Sequence, residues 1–354
     1  MTRPATEGLA RDQPPHAQDR TAFNQKRGFF WVPGDAVATE FGTVQRGQMY
    51  VEWMAPSRIT QPYPLIFVHG GGGQGTDWLG TPDGRPGWAE RFLREGYAVY
   101  VVDRPGHGRS FRHPHVLGET GPQTSFELAS MLFAPEQAGD TQTAWPWARD
   151  PKGAEMQQLT AALGAMPADL AEGQRVDGLR MADLLDLVGP AVVITHSAGA
   201  SAGWLALNLR PASVAGIVAI EPMGPPFAQL PGLGNLTWGL TATPVATLPA
   251  DAEASQLSHE GPATIAGFAD VPVAILVGET SPAGSFAPPV VDFLTRNGAQ
   301  AELISLTDFG IHGNGHGLMF EANSEETCLP VLHWLDAQFG TRGQNDASQE
   351  IQKE

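Results

Sequence analysis

Residues 191–199 read Ala-Val-Val-Ile-Thr-His-Ser-Ala-Gly. Ala191 to Ile194 make a short apolar run, as a strand buried on both faces does. Ala198 to Leu207 read as a helix packed close to it, and Gly199, Ala200, Ser201, Ala202 and Gly203 keep its first turns small. Ser197 falls at the turn between strand and helix. A serine on so sharp a turn is lifted over the end of the sheet, where its hydroxyl can attack a carbonyl. The common pattern for this turn is Gly-x-Ser-x-Gly, and Thr195 stands where its first glycine is expected. Ser-x-Gly is also what a buried serine in a tight turn looks like. The rest of the chain has to decide.

Outward from this stretch, strand-like and helix-like segments alternate. That order predicts an α/β fold: a mostly parallel central sheet flanked by helices. Phe29 to Pro33 and Val44 to Met54 read as opening strands in an antiparallel hairpin. Pro64 to His69, Ala98 to Asp103, Val214 to Ile220, Val271 to Val277 and Ala301 to Leu306 read as further strands. Helices are expected over Gly87 to Glu95, Leu179 to Val188 and Ser324 to Phe339, the last capped by Asn323. Two long segments, about 113–176 and 223–268, do not fit the sheet. Insertions of this length at strand ends usually form a lid over a site. The expected organisation is a tail over 1–26, one domain over 27–340 with these two lids, and a polar tail over 341–354.

The 354 residues carry a formal charge of −17, which disfavours nucleic acid and anionic membrane surfaces. The single cysteine, Cys328, excludes an intrachain disulfide and a multi-cysteine zinc site; it reads as core. His113-x-His115 lacks an evident third ligand, so no metal is expected. No run is long enough to span a bilayer. Met1 to Lys26 lacks the apolar stretch of a signal peptide. The chain as written therefore reads as cytoplasmic, or as secreted or periplasmic if its N-terminus has been processed.

An activated serine needs a base, an acid to orient that base, and donors for the developing oxyanion. Residues 66–75 read Ile-Phe-Val-His-Gly-Gly-Gly-Gly-Gln-Gly, a strand running into a glycine loop. Such a loop can turn a backbone N–H toward an oxyanion. Gly71 is the first choice of donor, Gly72 the second, and Ala198, next to the serine, supplies the other. A dinucleotide fingerprint needs a helix directly after the glycines, whereas Thr76 to Pro86 is rich in turn residues. The base is sought in Phe309-Gly-Ile-His-Gly-Asn-Gly-His-Gly317, where His316 is preferred to His312 because it lies nearer the final helix. For the acid, the turn Gly278-Glu279-Thr280-Ser281 ends in Ser281, which cannot stabilise an imidazolium as a carboxylate does. Glu221, at the end of the strand after the serine, is preferred to Glu279. Asp103 to Ser110 reads as a structural turn with His107 at a surface or turn position, and His333 as structural. Trp78, His196, Trp145, Trp147 and Trp238, with Phe126, Met131 and Phe133, are available to line a pocket.

These motifs together resemble the α/β-hydrolase superfamily, and more narrowly a small family of bacterial esterases with an atypical Ser–Glu–His order. The matching pieces are His69-Gly70 with its loop, Thr81-Pro82-Asp83-Gly84-Arg85, Gly106-x-Gly108-Arg109-Ser110, His196-Ser197, Val218-Ala219-Ile220-Glu221-Pro222 and His312 to His316. The resemblance implies Ser197 as nucleophile, Glu221 as acid and His316 as base. Some relatives carry adjacent cysteines where Gly71 and Gly72 stand here, so a redox effect on this loop is not expected.

The function expected is hydrolysis of carboxylic esters, small or aromatic, through an acyl-enzyme and without a cofactor. An amide, lactone or carbon–carbon bond hydrolase would use the same groups. A ligand-binding protein on a hydrolase scaffold is the rival from another class. The expected partner is a small-molecule ester, and homo-oligomerisation is left open.

Overall fold

Eight strands form the central sheet of the computed structural model, which describes residues 23–258 and 261–340. They are β1 (Gln25–Val32), β2 (Met49–Pro56), β3 (Leu65–Val68), β4 (Val99–Asp103), β5 (Ala191–His196), β6 (Val214–Ile220), β7 (Pro272–Val277) and β8 (Gln300–Ser305). Across the sheet they lie in the order β1-β2-β4-β3-β5-β6-β7-β8. β2 is antiparallel to β1 and β4, and every other neighbouring pair is parallel. Seven helices of more than one turn accompany them: α1 (Trp88–Arg94), α2 (Phe126–Phe133), α3 (Ala154–Ala162), α4 (Leu170–Val188), α5 (Ala200–Leu209), α6 (Ala287–Arg296) and α7 (Leu329–Phe339).

The central strands are apolar without interruption because both faces are covered. Ile66, Val68 and Val193 pack on one face with Met181 and Leu184 of α4, Trp204 and Leu205 of α5 and Leu294 of α6. Leu65, Phe67, Val192 and Ile194 point to the other face, against Trp88 and Phe92 of α1 and Val331 and Trp334 of α7. Alternation along each strand thus supplies two cores from one run. Each fully buried large apolar side chain contributes about 1.5–3 kcal/mol relative to exposure. Cys328 belongs to the second core, as expected.

Several boundaries differ from the sequence reading. Gln25 and Lys26 open β1, so the expected tail gives way to the sheet earlier; residues 1–22 of that tail and residues 341–354 lie outside the described residues. Phe29 to Val32 do pair antiparallel with Met49 to Glu52. Val44 to Arg46, however, belong to a separate small hairpin with Asp35–Thr39. α4 starts at Leu170, where the Asp169 side chain caps the Glu172 amide. The last helix is broken: Ser324–Thr327 is a single turn, and α7 begins afresh with Pro330 in its first turn. Proline has no N–H to continue the preceding turn but suits a helix start. Asn323 makes no side-chain cap; its amide pairs reciprocally with that of Asn314.

The segments expected as lids carry the rest. The first holds α2, α3 and a two-stranded ribbon of Thr120–Gln123 with Ala165–Pro167. The second holds the ribbons Gln229–Leu230 with Gly234–Asn235 and Thr247–Leu248 with Thr264–Ile265.

One ion pair ties helix, strand end and glycine loop together. Arg104, directly after β4, is 3% exposed and bonds Asp177 of α4 at 2.7 Å. The same guanidinium donates to the carbonyls of Gly70 and Gly71 at 2.8 and 2.6 Å. Removing one partner of a buried pair leaves an uncompensated charge and costs about 3–5 kcal/mol. Arg104→Met should therefore lower the urea-unfolding free energy by about that amount. The double variant Arg104→Met/Asp177→Leu should recover part of it. Equal losses in the single and double variants would contradict the pairing.

Candidate active site

Parallel strands deliver their carboxyl ends to one edge of the sheet, and the candidate groups collect there. Ile220 of β6 lies in register with His196 of β5, so Glu221 and Ser197, the next residue on each strand, fall side by side. Both adopt φ of +51°, in the left-handed region that non-glycine residues rarely enter. Such strain persists only where the surroundings over-determine it. Here the Glu221 amide donates to Leu276 O at 2.8 Å, and the Met223 amide to Ser197 O at 3.1 Å. Gly199 lets the turn close: a Cβ there would lie 2.2 Å from the His69 carbonyl oxygen. Thr195 fits because α5 presents Gly203 to it; a Cβ on Gly203 would meet the threonine methyl at 3.1 Å.

His316 stands between the two. Its Nε2 is 3.1 Å from Ser197 Oγ, and its Nδ1 is 3.3 Å from Glu221 Oε2. Glu221 is buried. Its Oε1 accepts from the Gly278 amide at 2.6 Å, and its Oε2 from the Ser281 hydroxyl. Ser281 thus serves the carboxylate by donating to it from the place where the acid itself was sought. The other two candidates pair with each other instead: His312 Nδ1 lies 3.4 Å from Glu279 Oε1, both partly or mostly exposed. Neither lines the cavity around Ser197.

Two buried polar clusters hold the surrounding loops. Glu321, fully buried, accepts from Gln142 Nε2, the Gly315 amide and Asn314 Nδ2 at 2.8, 2.7 and 2.6 Å. It thereby anchors the loop that carries His316 to the first insertion. Arg85, held by Asp83, reaches across to the carbonyls of Phe320, Glu321 and Ala322 and to Ser324 Oγ. This gives the Thr81–Arg85 motif a structural task. On the other side, Arg104 holds the Gly70 and Gly71 carbonyls. Each trans peptide points its N–H opposite its C=O, so the amides of Gly71 and Gly72 face away from Arg104. Gly71, Gly72 and Ala198 all line the cavity.

The cavity beside Ser197 has a volume of about 320 Å³. Its apolar wall comes from Met131, Leu132, Phe133, Met166, Met223 and Phe286, so both insertions contribute. Met131 and Phe133 were expected in this wall. Phe126, Trp78, Trp145, Trp147 and Trp238, also expected there, are not part of it. Trp78 is fully buried against Phe67 and Trp88. Trp145 and Trp147 pack edge to face at 4.8 Å in the second core, and Trp238 packs on the first. Their rings fill lid and core rather than face a ligand. His196 does line the cavity, and its Nε2 donates to the His316 carbonyl at 3.0 Å. Burial, with His316 nearby, pushes its pKa down to about 3, so this ring is neutral. His107 is buried rather than at the surface, with its Nε2 unpartnered.

A hydroxyl, an imidazole and a carboxylate in this line can pass a proton from oxygen to nitrogen and stabilise the resulting imidazolium. Sequence reasoning missed Ser281, Glu321, Arg85 and Arg104 as supports. Arg85 and Arg104 lie in segments that read as turn or resemblance motifs, and Ser281 enters only in the search for the acid. Among the described residues, no group of three or more His, Cys, Asp or Glu is placed to hold a metal ion.

With the fold and this geometry established, comparison with known proteins defines the class. The model of the alpha/beta hydrolase family matches residues 65–328, and the chain belongs to that family. It is 34% identical over 344 residues to a protein of Fungal sp. (strain ATCC 74256) named "Probable secreted lipase phiG", covering 90% of this chain and 92% of that one. Among solved structures, it resembles one described as a novel bacterial esterase with a TM-score of 0.67 and 23% identity, over 91% of this chain and 98% of that one. The last likeness speaks for the fold alone. Among the described residues, no helix is long and apolar enough to cross a membrane.

His107 makes one consequence measurable. Burial, then Arg104 and His69, hold its pKa well below 6.5. On unfolding, the freed imidazole binds a proton below about pH 6.5, so the group destabilises the fold increasingly as pH falls. The stability of the wild type minus that of His107→Gln should therefore shrink between pH 7 and pH 5 in urea titrations. A difference that stays constant or grows would contradict this.

Proposed function

We propose that the protein is a serine hydrolase of carboxylic esters. The reading is carried by one observation: His316 lies within hydrogen-bond reach of Ser197 Oγ through Nε2 and of Glu221 through Nδ1. In it, His316 takes the Ser197 proton as the oxygen attacks the ester carbonyl, and Glu221 holds and stabilises the imidazolium. The amides of Gly71 and Ala198 donate to the oxyanion of the tetrahedral intermediate. His316 then protonates the departing alcohol, leaving an acyl-enzyme. Water activated by the same ring releases the acid and restores Ser197.

The placement of the acid after β6 supports kinship with the Ser–Glu–His esterases. The name of the fungal relative supports ester chemistry. The wall of methionine, leucine and phenylalanine side chains favours an ester with an apolar acyl or alcohol group. The segments around 113–176 and 223–268 act as lids in this reading, since both supply cavity wall. The cytoplasmic location read from the sequence stands beside the secretion that the relative's name ascribes to that protein, and cell fractionation decides between them.

Ser197→Ala should abolish p-nitrophenyl ester turnover and fluorophosphonate labelling. Labelling at the wild-type rate would overturn the assignment. Glu221→Gln should lower kcat by up to about 10⁴-fold, as loss of the orienting carboxylate does in other serine hydrolases. Glu279→Gln should change it only slightly. The reverse order would move the acid to Glu279.

A further inference from the structure

Among the polar groups of the cavity wall that the proposed reaction does not use, one is a carboxyl. Asp77 lies on the single helical turn Thr76–Leu79, just beyond the glycine loop. It lines the cavity together with Gly70–Gly73, and 8% of the residue is exposed. Its Oδ2 packs over Gly73, where a Cβ would meet it at 2.3 Å, so the loop's glycine makes room for the carboxyl.

The other polar groups of the wall have partners. The Thr124 hydroxyl donates to Gly164 O, and His196 donates to His316 O. Glu221, His316 and Ser197 form the line described above. Among the described residues no cation pairs with Asp77: the nearby Arg104 is committed to Asp177 and to the two loop carbonyls. The neighbouring charges are Asp103, which opposes ionisation, and Arg104, which favours it, while the Gln74 backbone is its hydrogen-bonding neighbour. Burial is the largest influence and pushes the carboxyl up to about 7. Near neutral pH the group can therefore both donate and accept a hydrogen bond.

Among the described residues, the Asp77 carboxyl has the Gln74 backbone as neighbour but no side-chain partner, and a buried carboxyl oxygen left without one costs stability. Plain alkyl esters offer it none, and a hydroxyl does. We propose that Asp77 is a specificity-determining residue that selects esters bearing a hydroxyl on the part lying under the Gly70–Gly73 loop. The inference rests on Ser197 acting as an ester-cleaving nucleophile. A site built to hydrogen-bond a substrate hydroxyl rejects the analogue lacking it far more strongly than a hydrophobic pocket rejects an extra methylene, because its own polar group is left unpaired.

The test uses two ester pairs, since the hydroxyl can sit on either side of the scissile bond. One pair is p-nitrophenyl 3-hydroxybutyrate with p-nitrophenyl butyrate; the other is 2-hydroxyethyl butyrate with propyl butyrate. Wild-type kcat/KM should favour the hydroxylated member of at least one pair by about tenfold or more. That ratio should fall toward one in Asp77→Leu and take an intermediate value in the near-isosteric Asp77→Asn. Fluorophosphonate titration of Ser197 counts the folded, competent sites in each preparation, and Asp77→Asn carries the test if Asp77→Leu does not fold. Ratios that coincide in wild type and variants, with turnover intact, overturn the role of Asp77 alone. A wild type that hydrolyses none of the four esters overturns the esterase reading and this inference with it.

Discussion

The site is organised around a buried carboxylate at the end of a parallel strand. Glu221 is 1% exposed, and a polar group so buried costs stability unless hydrogen-bond donors surround it. The donors come from different places: the Gly278 amide and Ser281 hydroxyl after β7, and the His316 ring after β8. The carboxylate thus gathers the loops that follow the last two strands and brings His316 within reach of Ser197. The β5–β6 register puts Ser197 beside it. Both residues sit at positive φ, a strain that the adjoining ladder hydrogen bonds hold in place.

Around this carboxylate, the supports divide by element. Arg104 fixes the carbonyl side of the glycine loop and so directs its amides. Arg85 and Glu321 fix the segment on either side of His316 through backbone groups. Gln142 extends the second cluster into the first insertion. The ordering of the loop that carries His316 therefore depends in part on a segment that also supplies cavity wall.

The sheet was legible because parallel strands buried on both faces read as unbroken apolar runs. Val214–Ile220 is placed as the sequence predicts, and β3, β4, β7 and β8 lie within a residue or so of expectation. The small Asp35–Arg46 hairpin was missed because it is mostly exposed and carries no such run. The break before α7 was signalled by Pro330, yet the stretch Ser324 to Phe339 reads as one helix in the sequence. Ser197, His316 and Glu221, which the structure brings together, could be singled out because each follows a recognisable strand or glycine-rich turn. The cavity wall was not. Aromatic content does not distinguish a ring facing a ligand from one packed into a core, and the tryptophans proved to be packing. Ser281 was weighed only as a replacement for the acid, since its role as a donor depends on a contact between two strand ends far apart in sequence.

The central claim is that Glu221, and not Glu279, holds the imidazole that faces Ser197. Proton NMR in the low-field region tests this most directly, because an imidazole N–H hydrogen-bonded to a buried carboxylate is deshielded and protected from exchange. A resonance of His316 Nδ1–H should be present in the wild type, vanish in Glu221→Gln and persist in Glu279→Gln. A resonance that survives the first substitution and is lost in the second would contradict the claim.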